Sequence, residues 1–225
     1  MRGRKMIIVF GSDKGGVGKT TITANSAVML QQKTASVALV RTDKNEDLNT
    51  WQSLRREQPV PDIPIMTCYG SNTHKEINKL HGVTDVILVD TAGHDSVELR
   101  SALLVADVFI APVSPTSMLE VVTLNKLSSI VNEAKKENTK LKAFALLNRC
   151  PTSPFSNDAV KITQYLNDDP LLLSPFKTRI SNLKAFEKAI NEGLGVHELK
   201  GKNVGSAKAQ LELLFAELID SVQDS

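Results

Sequence analysis

The segment Gly11-Ser12-Asp13-Lys14-Gly15-Gly16-Val17-Gly18-Lys19-Thr20-Thr21 constrains the fold of this 225-residue chain more than any other feature. The apolar run 6–10 precedes it and an amphipathic pattern of helical period over 19–32 follows it. A glycine-rich turn between a strand and a helix can point successive backbone N–H groups inward, toward an anion. The start of the helix adds its partial positive charge at the same place. Residues 13–20 fit the phosphate-loop pattern G-x-x-x-x-G-K-[ST], with Asp13 in place of the first glycine. In that pattern Lys19 reaches the terminal phosphates and the Thr20 hydroxyl serves Mg²⁺.

Short apolar runs alternate with longer amphipathic ones along the rest of the chain. Strands are predicted over 6–10, 36–40, 63–67, 86–90, 108–111 and 141–147, each short and rich in β-branched residues or leucine, as buried parallel strands are. Helices are predicted over 19–32, 48–57, 73–80, 97–105, 117–136, 157–166, 183–191 and 206–222. This alternation implies an α/β fold. We expect a doubly wound, mostly parallel sheet with helices on both faces and right-handed crossovers, of the P-loop NTPase type, forming one domain over 1–225. At 41% hydrophobic and 23% charged residues, the composition excludes a disordered tail, a collagen and a coiled coil. No apolar run nears the roughly 20 residues of a membrane span. The basic residues 1–5 lead into an apolar run too short for a signal peptide, so a soluble cytoplasmic protein is expected. Cys68 and Cys150 lie far apart, and the four histidines form no i, i+4 pair. All six are expected to be packing or surface residues.

Two further acidic residues fall at the ends of predicted strands. The second strand leads into Val40-Arg41-Thr42-Asp43-Lys44-Asn45, and the fourth is Val86-Ile87-Leu88-Val89-Asp90, followed by Thr91-Ala92-Gly93-His94. Ligands of open α/β sheets sit at such carboxyl ends. A carboxylate at the first place can position water, and one at the second can hold Mg²⁺.

With its second, earlier lysine, the run Lys14-Gly15-Gly16-Val17-Gly18-Lys19-Thr20-Thr21 resembles the deviant Walker ATPases of the ParA/MinD family. The resemblance covers residues 6 to about 222. It implies that Lys14 reaches across a dimer interface to the nucleotide of the other subunit, acting as an arginine finger in lysine form. ATP and Mg²⁺ are the implied cofactors, and the chain is expected to be a weak ATPase. Lys14, Lys19 and Asp43 are the implied catalytic residues. Thr20, Asp43 and Asp90 would serve the metal. Nucleotide would be bound by Lys14, Gly15, Gly16, Val17, Gly18, Lys19, Thr20 and Thr21, with Gly93 approaching the γ-phosphate from a switch segment. By the same resemblance Asn148 and Arg149, after the sixth strand, and Pro175 and Phe176, in a later loop, would flank the adenine. The chain departs from the family at Arg41, Lys44 and Asn45, which stand for Asp, Pro and Gln, and at Ala92, which stands for Pro.

Within the family the phosphate loop starts at residue 11, so the chain resembles the small plasmid partition ATPases without an N-terminal helix-turn-helix domain. Its last helix has the apolar stripe Leu211, Leu214, Leu218 and Val222. Glu212, Glu217 and Asp220 on the polar face would be repelled by an anionic bilayer, so packing on the sheet is expected and no membrane partner. The cysteines do not suit a subunit-bridging iron–sulfur cluster. The net charge is only +2, but residues 177–208 hold seven basic residues against three acidic, a local +4. That stretch is an expected footprint for non-specific duplex DNA. The implied cycle is ATP-bound homodimerisation, association with nucleoid DNA, and hydrolysis stimulated by a centromere-binding ParB-type adaptor. The alternatives are a MinD-like or other ATPase that positions a protein complex, a carboxylate-activating ligase, and a scaffold that binds nucleotide without hydrolysis.

Overall fold

The computed structural model describes residues 5–33, 36–115, 118–153 and 157–223, and the side chains of all of these except 118–121. Its strands are β1 (Met6–Phe10), β2 (Val37–Arg41), β3 (Ile65–Thr67), β4 (Val86–Asp90), β5 (Val108–Val113), β6 (Lys142–Leu147) and β7 (Ser174–Pro175). They form a sheet of order β3-β2-β4-β1-β5-β6-β7, with every neighbouring pair parallel. The helices are α1 (Lys19–Lys33), α2 (Asp47–Arg56), α3 (Thr73–His81), α4 (Val97–Leu103), α5 (Met118–Glu137), α6 (Asp158–Asp168), α7 (Lys184–Asn191) and α8 (Gly205–Gln223). The predicted first residue of α5, Ser117, and the basic residues 1–4 lie outside the described residues.

The four central strands β1, β2, β4 and β5 are buried at every residue, because helices cover both faces of the sheet. Alternate residues therefore feed two cores. Ile8, Phe10, Leu39 and Leu88 face α1, α2, α7 and α8, whereas Ile7, Val9, Ile87 and Val89 face the layer of α3, α4, α5 and α6. The strand order reverses between β1 and its neighbours β4 and β5, which opens the crevice at the carboxyl end of β1 where the glycine run lies.

The last helix packs on the sheet as expected. Ala207, Leu211, Leu214, Phe215 and Leu218 are buried in the first core. Glu217 accepts the backbone N–H groups of Lys177 and Thr178 at 2.7 and 2.9 Å. A long-range clamp holds α2 on the segment before α8. The buried Arg55 pairs with Glu198 at 2.8 Å, and Trp51 Nε1 donates to the Leu194 carbonyl at 3.1 Å. Gly193, with φ +69°, leaves no room for a side chain against the backbone of Leu54 and Arg55. No helix among the described residues is long and apolar enough to cross a membrane.

Candidate functional site

The site forms at the carboxyl ends of β1, β2 and β4, where the sheet stops and α1 starts. Gly16 and Gly18 adopt φ of +80° and +88°, left-handed conformations that favour glycine, and they wrap the loop around the end of α1. A Cβ at Gly15 or Gly16 would meet nothing within 4 Å, so the mouth of this turn is open. Lys19 is buried and folds back over the loop. Its ammonium donates to Ser12 Oγ at 3.0 Å and reaches the Lys14 carbonyl at 3.5 Å. Burial lowers the pKa of Lys19, and the nearby carboxylates of Asp90 and Asp43 partly offset the effect. Ser12, which sequence reasoning passed over, also donates to the Lys14 carbonyl at 2.6 Å and so braces the loop from within.

Thr20 Oγ1 donates to Asp90 Oδ2 at 2.7 Å, joining the first turn of α1 to the end of β4. The other oxygen, Asp90 Oδ1, is buried and has no hydrogen-bond partner among the described residues. Burial pushes the Asp90 carboxyl up to about 6, against the opposing effects of the Thr20 hydrogen bond and the Lys19 charge. An orphaned carboxylate oxygen beside a threonine hydroxyl, opening on a glycine cradle with a lysine, is an oxygen donor set suited to Mg²⁺ held against phosphates. The residues therefore fit both groups.

A cation held here would compete with a proton for this carboxyl. The folded protein holds a proton on Asp90 between the ordinary carboxylate range and about pH 6, whereas the unfolded chain does not. The stability that this group contributes is therefore present below that window and is lost as pH rises through it. Cation affinity should move the opposite way. Mg²⁺-dependent ADP binding should weaken by up to about tenfold per pH unit below 6 and level off above it. Calorimetric titration from pH 5 to 8 measures this, and Asp90→Asn should remove the slope. A flat profile in the unaltered protein would refute the assignment.

The structure brings Asp43, the other predicted carboxylate, to the same end of the sheet. Asp43 is half-buried, and its Oδ1 accepts the Asn45 N–H at 3.1 Å. Gly93 lies against the phosphate loop, where a Cβ would come within 2.8 Å of the backbone of Lys14 and Gly15. The segment after β4 thus rests on the turn it was expected to sense. Its far end is tied down by a bidentate pair from Arg100 to Asp95, at 2.9 and 3.0 Å, which sequence reasoning did not foresee. Lys126 on α5 pairs with Asp13 at 3.1 Å and anchors the start of the loop. Lys14 is half-buried, and its ammonium bonds to no described residue.

Two of the four expected adenine contacts, Pro175 and Phe176, need revision, whereas Asn148 and Arg149 line a cleft beside the phosphate loop. Asn148 is buried, lines that cleft and donates from its amide to the Val17 carbonyl at 2.7 Å, so it also braces the phosphate loop. Phe176 is buried in the core, stacked on Phe144 with ring centroids 4.6 Å apart, and cannot flank a ligand. Pro175 pairs with Ala145, two residues short of the end of β6, so this stretch stops inside the sheet rather than at its edge. The chain reaches the edge later, where Cys150 bridges to Ser181. There the cleft is lined by Gly18, Thr21, Asn148, Arg149, Asn182 and Leu183. Arg149, with φ +55°, donates to the Gly16 carbonyl at 2.6 Å and stands at its rim. Both cysteines are buried, and burial raises their thiol pKa values, that of Cys150 to about 11, which keeps them as packing groups.

The family model of the CobQ/CobB/MinD/ParA nucleotide-binding domain matches residues 8–196. Among curated proteins, the chain is 25% identical over 209 residues to the maintenance of carboxysome distribution protein A of Halothiobacillus neapolitanus, covering 92% of this chain and 94% of that one. It is 24% identical over 226 residues to the protein ParA of Rhizobium radiobacter, covering 96% and 99%. Among solved structures, a plasmid partition protein of Borrelia burgdorferi bound to AMPPNP superposes with a TM-score of 0.69 at 19% identity, covering 95% of this chain and all of that one.

Proposed function

The chain belongs to the CobQ/CobB/MinD/ParA nucleotide-binding family and is a P-loop ATPase of the ParA/MinD type that uses ATP and Mg²⁺; from that premise we propose that it is a DNA partition ATPase. ATP joins two copies, the pair binds duplex DNA without sequence preference, and an adaptor of the ParB type triggers hydrolysis. The observation that carries this reading is the difference between two lysines of one loop. Lys19 is buried and committed to its own loop, while the Lys14 ammonium, five residues earlier, bonds to no described residue at the mouth of the site.

In this mechanism the N–H groups of the turn 15–18 and the Lys19 ammonium hold the β- and γ-phosphates. Thr20 and Asp90 hold the metal. Mg²⁺ held there would neutralise phosphate charge. Asp43 orients the attacking water, and the segment containing Gly93 responds to the γ-phosphate. Lys14 of the partner subunit stabilises the charge that spreads over the transferring group. The base lies in the cleft between Thr21, Arg149 and Leu183.

The DNA-binding part of the proposal rests on a groove of about 890 Å³ whose rim carries the exposed Lys184, Lys188, Lys200 and Lys202. Asn182 and Leu183 line both this groove and the base cleft, so the two adjoin. This is narrower than the footprint expected from sequence. Lys208 donates to the carbonyls of His197 and Leu199, and Arg179 donates to Thr163. Changing Lys184 and Lys200 together to Glu should weaken duplex binding about tenfold or more and lower the salt slope by about 2, one unit for each DNA phosphate that is no longer neutralised. Fluorescence anisotropy with ATP across a salt series measures both. An unchanged slope would move DNA to another face.

The likeness to the carboxysome distribution protein supports a second reading, in which the same ATP-driven cycle positions a protein body through a different adaptor. Co-sedimentation with duplex DNA and with anionic liposomes, each with ATP and with ADP, tests the nucleoid-associated readings together. Binding to liposomes alone would overturn both.

A further inference from the structure

Arg41 occupies a position where the resemblance leads one to expect a carboxylate, yet its guanidinium is almost wholly enclosed, with a side-chain exposure of 7%. A buried guanidinium with nothing to hold would be strongly destabilising. This one has three partners. Nη1 donates to the Asn45 carbonyl and to Glu46 Oε1, both at 2.9 Å, and Nε and Nη2 each reach Thr67 Oγ1 at 3.4 Å. Arg41 is in register with Thr67 on one side and with Asp90 on the other. It therefore pins the loop 42–46 to the edge strand of the sheet, level with the carboxylate assigned to the metal.

The backbone of Asn45 is held on both sides, through its N–H and through its carbonyl. Arg41 takes its carbonyl, and Asp43 Oδ1 accepts its N–H at 3.1 Å. The Asp43 carboxylate keeps this hydrogen bond only while the Asn45 backbone stays in place. We infer that Arg41 is a positioning residue for the hydrolytic step, acting through Asn45 to aim the Asp43 carboxylate. The inference rests on the water-orienting role proposed above for Asp43. At this position the chain thus carries a cation that orders the loop 42–46 by hydrogen bonding.

The test is a double-mutant cycle on turnover at saturating Mg-ATP, with ADP affinity and melting temperature measured for each variant. Arg41→Gln should lower kcat about tenfold and leave ADP affinity within about twofold, because the loop borders the γ-phosphate side and not the cleft for the base. Arg41→Lys, which can still serve the Asn45 carbonyl and Glu46, should recover at least half of that loss on a logarithmic scale. In an Asp43→Ala background, Arg41→Gln should have no further effect on kcat, since the group it aims is gone. If Arg41→Gln does not fold, Glu46→Ala combined with Thr67→Val removes two of the three anchors and frees the guanidinium to swing away from the Asn45 carbonyl, and it is judged by the same criteria. Additive losses in the cycle, an equal fall in ADP affinity, or kcat within twofold of the unaltered protein would each overturn the inference. Full turnover in Asp43→Ala alone would instead overturn the role of Asp43, and that result is read separately.

Discussion

Replacing Lys19 with alanine is expected to abolish nucleotide binding, lowering ADP and ATP affinity by at least about a hundredfold, or roughly 2.7 kcal/mol. Lys19 is the buried cation of the loop, held over the turn by Ser12 Oγ and the Lys14 carbonyl. It also faces two carboxylates, Asp90 and Asp43, whose charges favour its protonated form. Its removal takes away the positive charge that phosphates need. It also leaves the buried Asp90 without the ammonium that lowers its pKa, so the carboxyl holds its proton more tightly and serves a cation less well. The two effects act in the same direction. Equilibrium binding of a fluorescent ADP analogue measures the loss. Retained binding within tenfold would mean that the phosphates lie elsewhere.

Lys14→Ala should have an equally large effect of a different kind. Lys14 supports its own loop only through its carbonyl, which any residue provides and which accepts from both Ser12 and Lys19. The substitution should therefore leave ADP affinity and stability nearly unchanged. A cation supplied from a second subunit to a phosphoryl group in transfer can contribute on the order of 10³-fold or more to kcat. Turnover should fall by at least about a hundredfold, together with the ability of ATP to join two copies. Loss of ADP binding in this variant would show that Lys14 serves its own nucleotide.

The central strands and most helices were legible in the sequence to within two or three residues. Strands buried on both faces read as continuous apolar runs, and Met6–Phe10 and Val86–Asp90 have the bounds expected for them. The two-residue β7, Ser174–Pro175, was not legible, because so short a strand leaves no apolar pattern and its proline suggests a loop. The phosphate cradle was legible because strand, glycine turn and helix are adjacent in the chain. The surroundings of the base were not. That Asn148 braces the phosphate loop as well as lining the cleft, and that Phe176 stacks on Phe144 instead of lining it, depends on how distant segments pack. The same holds for Arg55 and Glu198, 143 residues apart in sequence and joined in the fold. Arg41 was legible as a departure from the family, but not as the anchor of the Asp43 loop, since its partners Asn45, Glu46 and Thr67 meet only once β2 and β3 have paired.

The central claim is that ATP loading and pairing are one event, and mass in solution tests it most directly. Light scattering should give the 24.5 kDa of one chain with ADP, and twice that with Mg-ATP or a slowly hydrolysed analogue. Lys14→Ala should stay at the lower mass under every nucleotide. A single-chain mass for the unaltered protein at saturating Mg-ATP, with the nucleotide demonstrably bound, would contradict the account.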